Sequence, residues 1–147
     1  MDSTDYKIIE ILQKHGRISM KDLGKAVNMT SPAVTERVRK LEENGVILRY
    51  RAIIDPGKLN KNIMAFINVG LPPENYDPFI SFAEKNEKII ECHHVTGGST
   101  VIIKVLTESM DDLKNLIDEI KKKGSTQTSV ILSSPIQFKP LLRKNHK

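Results

Sequence analysis

The sequence predicts an α+β chain of two units, and three observations carry that reading. Between Ser3 and Asn44 apolar side chains recur in three stretches at the 3.6-residue period of a helix. From Ile63 onward, β-prone runs alternate with two more amphipathic stretches in the order βαββαβ. Asp55-Pro56-Gly57, a turn signal, separates the two patterns. The first pattern reads as a helix-turn-helix, winged-helix-like unit over residues 1–50. The second reads as a ferredoxin-like βαββαβ unit over residues 62–147, with residues 51–61 as an extended linker.

In the first helix Asp2 stands at the N-cap and Asp5 three residues on, where free N–H groups and the positive end of the helix dipole favour carboxylates. Ile8, Ile9, Ile11 and Leu12 supply the apolar stripe, and Gly16 closes the helix after Lys14. Ser19-Met20-Lys21-Asp22 repeats the Ser-x-x-acid cap, and Met20, Leu23 and Val27 mark one face of a short second helix. Asn28-Met29 forms the turn. A third helix spans Ser31 to Asn44: Thr30 caps it, and Pro32 sits in the first turn, where its missing N–H costs nothing. Val34, Val38 and Leu41 follow at helical spacing, and Gly45 ends the helix.

At 100° per residue, Ser31, Pro32, Thr35, Glu36 and Arg39 fall on the face away from Val34, Val38 and Leu41, with Arg37 and Lys40 flanking it. Short and hydroxyl side chains at the N-terminal end, with cations further along, suit an element entering a major groove. A solvated helix surface has the same composition, and spacing alone does not separate the two readings.

After Gly45 the stretch Val46 to Ile54 is β-prone and reads as an extended connector. Ile63 to Val69 forms a strand, and Asp77-Pro78 starts a helix that buries Phe79, Ile80, Phe82 and Ala83. Ile89 to Thr96 and Thr100 to Leu106 flank Gly97-Gly98 as a hairpin. Ser109 caps a helix with the stripe Leu113, Leu116, Ile117 and Ile120 and with Lys121, Lys122 and Lys123 at its negative end; Gln127 to Leu132 makes the last strand. Both helices lie on one face of this sheet. An open apolar face on so small a unit is normally covered by another subunit, so a homodimer is expected.

With 147 residues, 39% hydrophobic and 28% charged, the chain fits one large or two small soluble domains. No run approaches the ~18 apolar residues of a membrane span, and Met1 to Asp5 lacks the layout of a secretory signal, so a cytoplasmic protein without a membrane partner is expected. A net charge of +5 tilts toward a polyanionic partner without proving one, and Lys139, Arg143, Lys144 and Lys147 form a basic run at the terminus. Cys92-His93-His94 invites a metal reading. Strand alternation puts only Cys92 and His94 on one side, however, and no further Cys or paired His stands at zinc spacing, so no metal or cofactor is expected and Cys92 reads as a small core residue. No P-loop, Gly-x-Ser-x-Gly elbow or His-Glu-x-x-His is present, and Glu84, Glu87, Asp111 and Asp112 fall on solvent faces or caps; no catalytic residue and no enzyme is expected.

Asp2, Asp5, Ile8, Leu12, Arg17-Ile18-Ser19, Leu23, Thr30, Val34, Arg37-Val38, Leu41-Glu42, Gly45-Val46-Ile47 and Asp55-Pro56 stand in the order and spacing of the Lrp/AsnC family of bacterial and archaeal transcriptional regulators. The chain resembles that family over nearly its whole length. The resemblance implies a helix-turn-helix joined to a βαββαβ domain that dimerises, assembles further into tetramers or octamers, and binds an amino acid or another small effector between dimers. The expected function is sequence-preferring transcriptional regulation with the third helix in the major groove of double-stranded DNA. An architectural protein that bends or wraps DNA without effector control is the alternative. Thr35 and Arg39 are expected at base edges, Ser31 and Pro32 shaping the entry, and Arg37 and Lys40 toward phosphate; Arg37, at the rim of the apolar stripe, is also placed to pair with an acid of its own domain.

The sequence departs from the family at the effector loop, where Gly, acid, aromatic, Asp is usual and Gly97 is here followed by Gly98, Ser99 and Thr100. In the family pattern an Asp stands where Thr100 does, and its carboxylate would pair with an amino acid's ammonium group. Without that counter-charge a desolvated ammonium is costly, so free amino acids are expected to bind weakly or not at all. Any amino-acid-like effector is expected to contact Thr96, Gly97, Gly98, Ser99 and Thr100, with Thr126 and Thr128 from the last strand. The loop can donate backbone N–H groups to a carboxylate, or simply make a tight hairpin.

Overall fold

The computed structural model describes residues 1–141, so Arg143, Lys144 and Lys147 of the basic run lie outside the described residues. Two compact units are present, Met1–Ile53 with residues 136–141, and Ile54–Pro135. Sequence pattern alone places the stretch from Ile136 in the sheet unit. It belongs to the helical unit because Gln13 donates from Nε2 to the Leu141 carbonyl at 3.0 Å and accepts the Leu141 N–H at 2.8 Å.

The helical unit holds α1 (Ser3–Lys14), α2 (Met20–Ala26) and α3 (Ser31–Glu43). Asp2 and Asp5 cap α1 reciprocally, each carboxylate accepting the other's backbone N–H. Ser19 accepts the Asp22 N–H to start α2. Thr30, expected to cap α3, makes no side-chain cap bond; its backbone is extended and Pro32 sets the first turn instead. Ile8, Leu23 and Val34 are wholly buried where the three helices meet, with Leu12, Val27, Val38 and Leu41 around them and Ile47 packed against the cluster. Leu48 to Ile54 belongs to no strand, and Leu48 stands 81% exposed.

In the sheet unit a short 3-10 turn, Pro56–Leu59, follows Asp55, whose carboxylate accepts the Gly57 N–H at 2.9 Å. Then come β1 (Ile63–Gly70), α4 (Tyr76–Lys85), β2 (Ile89–His94), β3 (Val101–Thr107), α5 (Met110–Lys121) and β4 (Ser125–Val130). The sheet is antiparallel throughout, in the order β2-β3-β1-β4. Along β1 and β3 the side chains of Ala65, Ile67, Val69, Val101, Ile103 and Val105 are wholly buried under Phe79 of α4 and Leu113, Leu116 and Ile120 of α5. Alternation sends Met64, Phe66, Asn68, Ile102, Lys104 and Leu106 to the other face, which no element of the unit covers, and Phe66 is 39% exposed there.

Three boundaries differ from the sequence reading. The hairpin strands stop at His94 and resume at Val101, so the connection is a six-residue loop rather than a turn on Gly97-Gly98 alone. The Val95 N–H closes it on the Thr100 carbonyl at 3.0 Å, and Gly97 takes φ +111. Helix α4 begins at Tyr76 after a 3-10 turn over Pro73–Asn75. Strand β4 starts two residues early, at Ser125, because Gly124 lets the chain approach β1: a Cβ there would stand 2.3 Å from the Gly70 carbonyl oxygen. Among the described residues no helix is long and apolar enough to cross a membrane.

Candidate nucleic-acid interface

The turn between α2 and α3 is fixed by two residues. Asn28 adopts φ 55, in the left-handed region that Asn tolerates. Gly24 is buried in α2 where a Cβ would meet the Met29 carbonyl at 2.7 Å, so α3 leaves the turn closer to α2 than any larger residue permits. With Val34, Val38 and Leu41 buried beneath it, α3 turns Pro32, Thr35, Glu36, Arg39 and Lys40 to solvent, with Ser31 partly covered beside them. The Thr35 hydroxyl donates to the Ser31 carbonyl at 2.8 Å.

The cations of α3 are not equivalent. Arg37 donates from Nη1 to Asp2 and Asp5, both at 2.7 Å, which fastens α3 to the capping box of α1. The Asp5 side chain is 15% exposed, the most covered carboxylate of this group. Arg39 donates from Nε to Glu36 Oε2 at 2.8 Å and from Nη2 to Glu36 Oε1 at 2.7 Å, and from Nη1 to Glu43. Hydrogen bonding from Arg39 holds the Glu36 carboxyl below its ordinary range, and the same bonds raise the guanidinium further. Lys40 lies 3.7 Å from Glu36. Along α3 as a whole, Arg37, Arg39 and Lys40 are balanced by Glu36, Glu42 and Glu43. Among the described residues up to Ile53, the cations with neither an ion pair nor a hydrogen bond are Lys7, Arg17, Lys21, Arg49 and Arg51, with the last two flanking Tyr50. Tyr50 donates to Glu42 at 2.9 Å, and burial with that carboxylate pushes its phenol up to about 12.

On the sheet unit the loop after β2 borders an open cleft of about 690 Å³ lined by Asn68, His94, Val95, Thr96, Gly98, Ser99 and Ile102. Its lining holds no carboxylate, and the His94 ring packs against Tyr76 at a tilt of 46° with centroids 4.9 Å apart. Thr100 does not line it: its hydroxyl accepts the Leu71 N–H at 2.9 Å and donates to the Leu71 carbonyl at 3.2 Å.

A family model for a winged helix-turn-helix DNA-binding domain matches residues 1–47, and one for the Lrp/AsnC ligand binding domain matches residues 64–141. The chain belongs to the Lrp/AsnC family. Over 134 residues it is 42% identical to the uncharacterized HTH-type transcriptional regulator YezC of Bacillus subtilis, covering 91% of this chain and 95% of that protein. The structure of LrpC from B. subtilis superposes with a TM-score of 0.89 at 30% identity, over 94% of this chain and 99% of that one. The transcriptional regulator NMB0573 of Neisseria meningitidis, solved as an L-Met complex, shares the fold with a TM-score of 0.90 at 22% identity, over 96% of each chain. As a member of the Lrp/AsnC family the protein is a DNA-binding transcriptional regulator with a ligand-binding α+β domain.

Within that Lrp/AsnC frame the structure brings some expected site residues together and separates others. Thr35, Arg39 and Lys40 share one exposed face with Pro32, whereas Arg37 is turned to α1 and its Nη1 is held by carboxylates. Thr96, Gly98 and Ser99 border one cleft, and Thr100 faces the Leu71 backbone. Thr126 and Thr128 pair with Val69 and Ile67, whose side chains point into the core, so both threonines lie on the helix-covered face, away from Asn68 and Ile102. Cys92 is exposed on the edge strand rather than in the core. Among the described residues no group of three or more His, Cys, Asp or Glu is placed to hold a metal. Sequence reasoning puts Glu36 on the α3 face without a role; acids three before and four after Arg39 are the available signal.

Proposed function

We propose that this regulator reads double-stranded DNA by laying α3 in the major groove, with Arg39 and Thr35 at base edges and Ser31 and Pro32 shaping the close approach. The observation that carries this is the exposed α3 face itself: small residues at its N-terminal end, and an arginine held in place by its neighbours. Lys40 leans toward phosphate, and Arg37 positions α3 instead of contacting DNA. Arg17, Lys21, Arg49 and Arg51, which form no ion pair or hydrogen bond among the described residues, supply further phosphate contacts. A helix whose charges cancel gains little from generic DNA, which favours sequence-preferring regulation over architectural wrapping.

The protein binds as a homodimer through the open face of its sheet, where Phe66 is 39% exposed and Met64, Ile102 and Leu106 surround it. Assembly of such dimers into tetramers or octamers follows the family pattern. Paired α3 helices then match half-sites about 34 Å apart or a multiple of it. The cleft beside Thr96 to Ser99 is the place for a small effector, and because its lining offers no carboxylate, free amino acids bind it weakly. Selection of bound duplexes from a random pool, followed by footprinting, is expected to return a symmetric site with that spacing. Pools that show no enrichment would overturn the placement of α3, and sedimentation of Phe66→Asp as the same oligomer as wild type would overturn the dimer face.

A further inference from the structure

We propose that Glu36 is a specificity-determining residue that acts through Arg39, holding its guanidinium in one orientation and denying it to phosphates unless a base edge accepts it. The inference rests on the placement of α3 against DNA argued above. A guanidinium has five N–H donors in a rigid fork. Three of its donor bonds go to Glu36 and Glu43, one to each from the two sides and a second to Glu36 through Nε. The Glu36 pair is two-pronged, the geometry in which an arginine and a carboxylate bind best.

Two consequences follow from charge and geometry. On DNA of arbitrary sequence, Arg39 in this cradle carries almost no free charge. A phosphate can capture it only by displacing Glu36, whose own carboxylate is repelled by the same polyanion. On the preferred sequence the two remaining N–H groups meet acceptors of a guanine edge without breaking the cradle, and a side chain already fixed loses little freedom on binding. Glu36 thus weakens binding to random DNA more than binding to the preferred site. The Lys40 ammonium 3.7 Å from the same carboxylate is damped in the same way. Exposed ion pairs contribute little to folding, so the cradle is better explained by what it does at the DNA surface than by stability.

The test compares wild type with Glu36→Gln, which keeps the shape and helix preference of the side chain and removes its charge. Fluorescence-anisotropy titrations use a selected duplex and a random-sequence duplex over a range of salt concentrations. Glu10→Gln, which removes the same charge from α1 where Glu10 pairs with Lys14 at 2.6 Å, sets the baseline for net charge. For Glu36→Gln, random-sequence affinity is expected to rise roughly threefold to tenfold beyond that baseline, and the slope of log K against log salt to steepen by about 0.9, as one more phosphate is neutralised. The ratio of selected to random affinity falls by a similar factor, and in an Arg39→Ala background the substitution no longer changes that ratio. An effect equal to that of Glu10→Gln overturns the proposal, as does a change in that ratio that persists without Arg39. A change of the preferred base at one position in Glu36→Gln also overturns it, since Glu36 would then be reading that base itself. If wild type prefers no duplex at all, the placement of α3 fails with it; if wild type prefers one and Arg39→Ala weakens it, that placement stands whatever Glu36→Gln shows.

Discussion

The exposed face of α3 and the loop from Thr96 to Thr100 are both short polar surfaces, yet they treat Arg39 and Thr100 in opposite ways. On α3, Arg39 is held by Glu36 at 2.7 and 2.8 Å and stays at the surface. In the loop, the Thr100 hydroxyl turns inward to the Leu71 backbone at 2.9 Å. The backbone makes the difference. Inside a helix the main-chain donors and acceptors are already paired, so charged side chains such as Arg39 find side-chain partners three or four positions away on the same face. The Thr35 hydroxyl only shares the Ser31 carbonyl with the helix. Where a strand ends, Leu71 keeps an N–H and a carbonyl that no ladder pairs, and the nearest hydroxyl satisfies both. Polar residues remain available for ligands where the local backbone has no need of them.

The largest effect is expected from removing the support under the helical surface. Leu23 is wholly buried, so Leu23→Ala should destabilise the helical unit by about 2–5 kcal/mol and abolish DNA binding. Urea denaturation followed by circular dichroism measures it, and the transition of the sheet unit should stay where it is. Next, the two arginines separate. Arg39→Ala is expected to cost about 1–3 kcal/mol at the selected site and relax one base position. Arg37→Ala, which frees Asp2 and Asp5, should lower the urea midpoint and keep the sequence preference.

A smaller change sharpens the loop side of the comparison. Thr100→Val keeps the shape but strands the Leu71 N–H, which should cost roughly 1 kcal/mol and speed amide exchange at Leu71. If exchange at Leu71 is unaltered, the hydroxyl is free after all and the contrast with α3 collapses. The smallest effect is in pH dependence. Asp2 is held below its ordinary value by the Asp5 N–H and then by Arg37, Asp22 by Ser19, and Asp112 by Lys88. Because the folded values are depressed, the unfolded chain takes up protons first as pH falls. Stability from these groups is therefore complete above the ordinary carboxyl value of 3.8 and is lost as pH drops through the folded values. The urea midpoint should hold steady from neutrality down to about pH 5 and decline below about pH 4, less steeply in Arg37→Ala, which lacks one of the bonds holding Asp2.

The order of elements, the caps at Asp2, Ser19 and Ser109 and the buried stripes of α1, α3 and α5 were legible in the sequence, because a cap or a helical face is written within four residues of chain. The surface of α3 followed from the same periodicity. What only the tertiary structure decided was that Arg37 is fastened to another helix: the acids that hold it lie 35 and 32 residues away, and no local spacing points to them. It also decided the direction of Thr126 and Thr128. Ser125 to Ser129 is polar at every position, so no alternation marks the inward side, and the pairing with β1 alone sets which residues face the helices. Patterns that repeat along the chain report local backbone geometry; the partner of a charge and the face of a uniformly polar strand depend on segments brought together only by folding, and the sequence carries no periodic trace of either.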